Sequence, residues 1–401
     1  AAKALHMLDS LEQLNIYSEE IINAHRTHLY FDRQQYRMAD YYGSKAIKNK
    51  HLLSEEPNLY FETCLYLTSV ALDNGDNRKA LYYAGIGLEE SRQDNTTAGK
   101  TFQAKFLSKI GQCQLRLGRL EEGSQSSEES YNLFRETLRD SKDFSQVYLW
   151  YSAVGEAIQH FNICDINKAK TWLPRLEETY EATIHTHNLP PTMQDYCLSK
   201  LLLTKAETFA KAGQKAEARD YFRQYQQTKI AQSGEDWISP MGYYESIQEL
   251  SQIYAIYNRW DSLCTAEGMP FNKDLMQMLA AKFMVEQQTD RKSEALQTAD
   301  RIISHLAQVD SLAQADDAGQ LAVIYETQEK EAKIAEQDAS LTHQRLLASI
   351  IVLVSTIIFF TVFIYFRQRA AKRLAEVKAA KERIESELRI ARDIQMSMVP
   401  R

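Results

Sequence analysis

The chain has 401 residues, 44% of them hydrophobic and 25% charged, a length that rules out one small core and a composition ordinary for a folded protein. Its net charge of −7 is unevenly spread: residues 367–401 hold ten Lys/Arg against five Asp/Glu, which leaves −12 for residues 1–346. An acidic body of this kind repels phosphates, so nucleic acid is excluded as a partner.

Seven prolines and fourteen glycines are few for this length, while Leu, Ala, Gln, Glu and Lys recur throughout. The prediction is an all-α protein. The chain begins "AAKALHMLDS", with neither an initiator Met nor a basic-then-apolar leader. If the first 345 residues are exported, a leader has been removed ahead of Ala1.

Residues 1–310 read as a repeat domain. Several segments share an apolar helix, a short turn with Gly or Asn, a small residue four or five positions on, and then an aromatic. "LTKAETFAKAGQKAEARDYFRQY" is the clearest copy, with Ala206, Gly213, Ala218, Phe222 and Tyr225 in order, and others surround Gly75 and Ala80, then Gly118 and Gly123. Weaker copies centre on Ala39, Ala169, Leu263 and Ala295. Small residues let paired helices approach closely, and a turn Gly closes a helical hairpin. Each hairpin buries its apolar side only by stacking on its neighbours.

The pattern resembles the tetratricopeptide repeat, whose unit is about 34 residues. Here the anchors stand 41, 43, 46, 49, 45 and 32 residues apart, so the copies are long and degenerate. The resemblance implies a helical solenoid that binds a peptide or protein along the concave face lined by each pair's first helix. Transferring the register places Glu62, Ser69, Lys105, Ser108, Gln112, Tyr151, Lys200 and Glu207 on that face. The twenty-two tyrosines suit core packing first and a binding groove second.

Catalytic signatures do not occur in residues 1–345: there is no HExxH, no GxSxG, no GxxxxGK[ST] and no dinucleotide-binding glycine pattern. His25 and His28 stand at i, i+3 and could share a metal, but no further ligand cluster accompanies them in sequence, and the expectation is no metal and no cofactor. "HTH" at His185 to His187 precedes "NLPP" and reads as an exposed loop. The five cysteines are scattered and odd in number, which favours buried thiols over a disulfide framework.

Between Gly319 and Pro400 there is neither Gly nor Pro, so one nearly continuous helix is predicted. Its juxtamembrane part, 311–345, contains Tyr325, Glu326, Thr327, Lys330 and Glu331, which resembles the "YET-x-x-K-E" stretch joining external repeats to a membrane helix in bacterial receptors. Residues 346–366, "LLASIIVLVSTIIFFTVFIYF", carry no charge, and at about 1.5 Å per residue they reach about 30 Å, the thickness of a bilayer's hydrocarbon. Ser349, Ser355, Thr356 and Thr361 are tolerable there because their hydroxyls can bond back to helix carbonyls.

"RQRAAKR" follows at once and marks the C-terminal side as cytoplasmic, with the repeats outside, periplasmic in a Gram-negative cell. In residues 367–401, Ala370, Leu374, Val377, Lys381, Ile384, Leu388, Ala391, Gln395 and Met398 follow alternating steps of four and three. That is a heptad seam interrupted by Lys381 and Gln395, and it implies a weak homodimeric coil, with an amphipathic helix on the inner leaflet as the alternative.

The closing "ELRIARDIQMSMVP" resembles the segment that opens the phosphatase domain of bacterial PP2C-type (SpoIIE/RsbU-like) regulators, through Glu387, Leu388, Ala391, Ile394, Gln395, Met398, Val399 and Pro400. The resemblance implies a following domain that removes phosphate from Ser or Thr of a regulator, such as an anti-anti-sigma-type protein, using two Mn²⁺ or Mg²⁺ ions held by carboxylates. No Asp-Gly pair of the kind that family uses occurs here, so catalytic residues are expected outside this chain. A histidine kinase, a DNA-binding output and a simple membrane-anchored adaptor stay open as alternatives.

Overall fold

The structure, a computed structural model, describes residues 2–48, 50–269 and 273–397, with side chains for all of these except Ala2, Lys273, much of 307–342 and 395–397. Among the described residues there are seventeen helices and no strand. Packing divides the chain into two compact units, Ala1–Ile324 and Tyr325–Arg401.

In the first unit, α1 (Ala2–Gln13) precedes a hairpin of α2 (Glu19–Asp32) and α3 (Tyr36–Ile47), and short α4 (His51–Glu55) leads to α5 (Pro57–Asp73). The array continues with α6 (Asn77–Ser91), α7 (Thr97–Arg116), α8 (Leu120–Leu138), α9 (Phe144–Cys164) and α10 (Ile166–Ile184). Then come α11 (Pro191–Lys211), α12 (Lys215–Gln226), α13 (Lys229–Ser233), α14 (Met241–Ser246), α15 (Leu250–Ala266), α16 (Lys273–Gln288) and α17 (Lys292–Ser397).

Each hairpin packs its second helix on its first, while the first helices α2, α5, α7, α9 and α11 also pack on one another in succession. This is a tetratricopeptide-like solenoid. Its core is continuous across pairs: Phe61, Phe102 and Phe106 fill one stretch, and Trp150, Phe161 and Trp172 fill the next. Gly87 allows the Phe106 ring to lie against α6, because a methyl group at Gly87 would sit 2.1 Å from the ring.

One turn recurs through the array. A residue with positive φ ends the first helix, and the next N–H reaches back five residues: Asp76 to the Ala71 carbonyl at 2.8 Å, Arg119 to Gln114 at 2.9 Å, and Gln214 to Phe209 at 2.9 Å. Gly75, Gly118 and Gly213 occupy the left-handed position in these three. Gln34, Gln248 and Asp290 hold the same conformation in three further copies.

The small anchors follow five residues later on second helices, where Ala39, Ala80 and Ala218 are completely buried and Ala295 nearly so. The sixth anchor departs from expectation. Leu263 is 41% exposed, and the residue five beyond the Gln248 turn is Ile253, which is buried. The first helix of this repeat is α14, only six residues long, and the Gln248 turn that ends it sets the anchor at Ile253.

The first unit extends past residue 310 to Ile324, since Gln320 on α17 is buried and its Oε1 accepts from the Arg37 N–H at 3.1 Å and the Met38 N–H at 3.4 Å. No side-chain cap is supplied by Gln35 at the start of α3, so Gln320 does that work from 283 residues away. The last helix is thereby fastened to the first repeat.

In the second unit, residues 346–366 lie in a helical stretch long and apolar enough to cross a membrane. Ser349, Thr356 and Thr361 donate to the carbonyls of Arg345, Val352 and Ile357, each at 2.8 Å. Leu374, Val377, Ile384 and Leu388 are all more than half exposed on the same helix, as is the whole described surface from 367 to 394 exposed. Met398, Val399 and Pro400 lie outside the described residues.

Candidate functional site

The eight residues assigned to the concave face all fall on first helices: Glu62 and Ser69 on α5, Lys105, Ser108 and Gln112 on α7, Tyr151 on α9, and Lys200 and Glu207 on α11. Their surroundings differ. Glu62 is exposed and Ser69 half-buried. Lys105 lies 4.7 Å over the Phe102 ring, and burial holds its ammonium below the usual lysine range, against the opposing pull of Glu62. Ser108 and Gln112, one turn apart on α7, line a small cavity with Ser127, Glu156 and His160. The buried Oε1 of Gln112 has no hydrogen-bond partner.

Tyr151 is a packing residue. It is 5% exposed, its hydroxyl donates to the Cys197 carbonyl at 2.8 Å, and burial pushes its ionisation far up. On α11 the chain itself covers the face. Lys200 Nζ donates to Ser239 Oγ at 2.5 Å, and Gly242 at the start of α14 lies against the Glu207 carboxylate, which accepts from Lys211 at 2.8 Å. The stretch from Ser239 to Gly242, leading into α14, therefore covers Lys200 and Glu207.

The opposite end is open. A groove of about 650 Å³ runs between α1, α2 and α5. Its floor is apolar, from Leu8, Leu11, Ile21, Leu29 and Leu59, and Met7 and Tyr17 stand at its rim, both more than half exposed. Glu56 and Glu62 line the α5 side, and His25 and His28 line the α2 side. His28 stacks on Tyr66 at 4.8 Å and stands 3.4 Å from Asp32.

Ion pairs tie two walls of this groove together. Arg26, buried on α2, reaches Asp9 at 2.6 Å and Glu12 at 2.7 Å on α1, so the acidic side of α1 is fastened and its leucine side faces the groove. Both carboxylates hold the Arg26 guanidinium firmly charged against the cost of burial. Glu62 alone among the expected residues belongs to this site. The rest was hidden by distance in sequence, although "HMLDSLEQL" carries the signal: Asp9 and Glu12 share one helix face, and Leu8 and Leu11 share the face beside it.

Cys64, Cys113, Cys197 and Cys264 are buried free thiols, and Cys164 is exposed. Burial pushes the Cys113 and Cys197 thiols up to about 11, which keeps them protonated and inert. His187 lies in an exposed loop whose backbone N–H donates to the Lys142 carbonyl at 3.0 Å.

No protein-family model matches this chain, and no curated protein matches it. Among solved structures it is similar to one described as "Crystal Structure of Rap Protein Complexed with Competence and Sporulation Factor". Identity is 12%, the TM-score is 0.45, and the likeness covers 76% of this chain and 80% of that one. The chain is a helical-repeat protein, and its described residues include one helix with a long apolar stretch.

Proposed function

We propose that the chain is the sensing and transmitting part of a single-pass bacterial receptor, with the repeats outside the inner membrane and the C-terminus in the cytoplasm. Residues 1–310 bind a peptide or protein, 311–345 lead to the bilayer, 346–366 cross it, and 367–401 pair with a second copy along Leu374, Val377, Ile384, Leu388, Ala391 and Met398. The output is a PP2C-type phosphatase domain beginning at the Glu387 to Pro400 segment, bringing its own Mn²⁺ or Mg²⁺ and acting on a phosphorylated regulatory protein.

The observation that carries this reading is the Gln320 contact. The helix that continues toward the apolar segment begins α3's hydrogen-bonding at Arg37 and Met38, so any ligand that repacks the first repeats strains or releases α17. The weak heptad seam supplies an element with two packings for that motion to bias.

Two measurements test it. A reporter fused after Arg401 should be active in the cytoplasm, and periplasmic activity overturns the topology. In membranes, Leu388→Cys should form an intermolecular disulfide whose yield changes when Gln320→Ala is added. A seam that never crosslinks defeats the dimer, and a yield indifferent to Gln320 defeats the coupling.

A further inference from the structure

We infer that the groove between α1, α2 and α5 takes a short amphipathic peptide with a cationic residue, inserting apolar side chains on the leucine floor and placing Lys or Arg against Glu56 and Glu62. This deepens the proposed sensor reading and rests on it, by naming the chemistry of the ligand and the end of the array that receives it.

Three observations support the occupant. The first is shape: about 650 Å³ lies within the range of cavities that hold compact ligands, and the Arg26 pairs to Asp9 and Glu12 join its α1 and α2 walls. The second is the floor. Leu8 and Ile22 are buried at its base, while Met7 and Tyr17 stay exposed above it, leaving apolar surface on both sides of the opening.

The third is charge. Glu56 and Glu62 are both exposed, stand on one side of the groove, and form no ion pair within 4.0 Å; Lys105, on which Glu62 acts, is itself drawn over the Phe102 ring. Lys105 cannot follow a ligand into the groove without leaving that ring. The other wall offers His25 and His28, and the −12 of residues 1–346 sets an attractive field for a cation approaching from solution. An anionic peptide meets repulsion at Glu56 and Glu62 and in the acidic field of residues 1–346. Because the groove is built on α2, its occupant acts on the same hairpin whose α3 holds Gln320.

The test uses the full chain in nanodiscs of neutral phosphatidylcholine and follows the fluorescence anisotropy of a fluorescein-labelled heptapeptide of alternating leucine and lysine. Its leucine–glutamate counterpart and empty nanodiscs serve as controls. The lysine peptide should bind and the glutamate peptide should not. Glu56→Gln with Glu62→Gln should weaken binding about ten-fold by removing two exposed charges. Leu11→Arg should abolish it by placing a cation on the floor; since both glutamines sit on exposed positions, the first variant keeps the test valid if the second unfolds α1.

Equal binding of the two peptides, or an affinity indifferent to the glutamine pair, overturns the inference. If the groove binds neither peptide while the Leu388→Cys crosslink still responds to Gln320→Ala, the groove assignment falls and the receptor reading stands.

Discussion

The two compact units handle polar and apolar groups in opposite ways. In residues 2–324 the largest aromatics, such as Trp150, Trp172, Phe106 and Phe134, are inside, and buried Lys282 pairs with Asp261 at 2.7 Å and with Glu286 at 3.8 Å. In residues 343–394 the described side chains are exposed, including Phe359, Phe360, Leu374 and Leu388. The first unit completes its own core. The second leaves its apolar side chains uncovered, both along 346–366, which is long and apolar enough to cross a membrane, and along 367–394. The difference teaches which unit is stable by itself and which is defined by what it meets.

That contrast can be tested with tryptophan fluorescence, because Trp150, Trp172, Trp237 and Trp260 all belong to the first unit. Phe106→Ala should have the largest effect, about 4 kcal/mol, since it empties a fully buried site against Gly87 and Phe61. The urea midpoint read at the tryptophans should fall, and Leu388→Cys crosslinking should still occur in folded membranes. Loss of crosslinking at urea concentrations where the repeats stay folded would show the units to be one.

Lys282→Met comes next, at about 3 kcal/mol, because it leaves Asp261 and the buried Glu286 without their shared cation; Arg301 still reaches Asp261. Replacing Glu286 as well, with Gln, should recover part of the loss in a double-mutant cycle, and strict additivity would contradict the coupling. The smallest effect is Asp76→Ala, about 1 kcal/mol, from removing the side-chain acceptor for the Lys79 N–H at the start of α6. A midpoint unchanged within error would mean that this turn is held by its backbone bonds alone.

How legible the molecule was depends on how local each signal is. The all-helical class, the glycine turns at 75, 118 and 213, and the uncharged stretch of 346–366 are written in neighbouring residues, and the structure follows them. The turns at Gln34, Gln248 and Asp290 were not legible, because nothing in a non-glycine residue announces positive φ. Missing Gln248 is what moved the sixth anchor from Ile253 to Leu263. The groove residues were legible as first-helix positions, yet their surroundings were not: the cover over Lys200 comes from Ser239, and the partner of α3 comes from Gln320. Such contacts depend on how the solenoid curls, which no window of sequence contains.

The back-bonded hydroxyls of the apolar helix carry one last consequence. Ser349, Thr356 and Thr361 direct their protons to their own backbone, so they offer no donor sideways to another helix. Of the four hydroxyls in this stretch only Ser355 makes no such back-bond, so two such helices side by side in lipid would meet mainly by shape, with little to fix their rotation. The register of a pair would then be decided in the charged, heptad-patterned stretch that follows, leaving the membrane segment as a lubricated bearing rather than a lock.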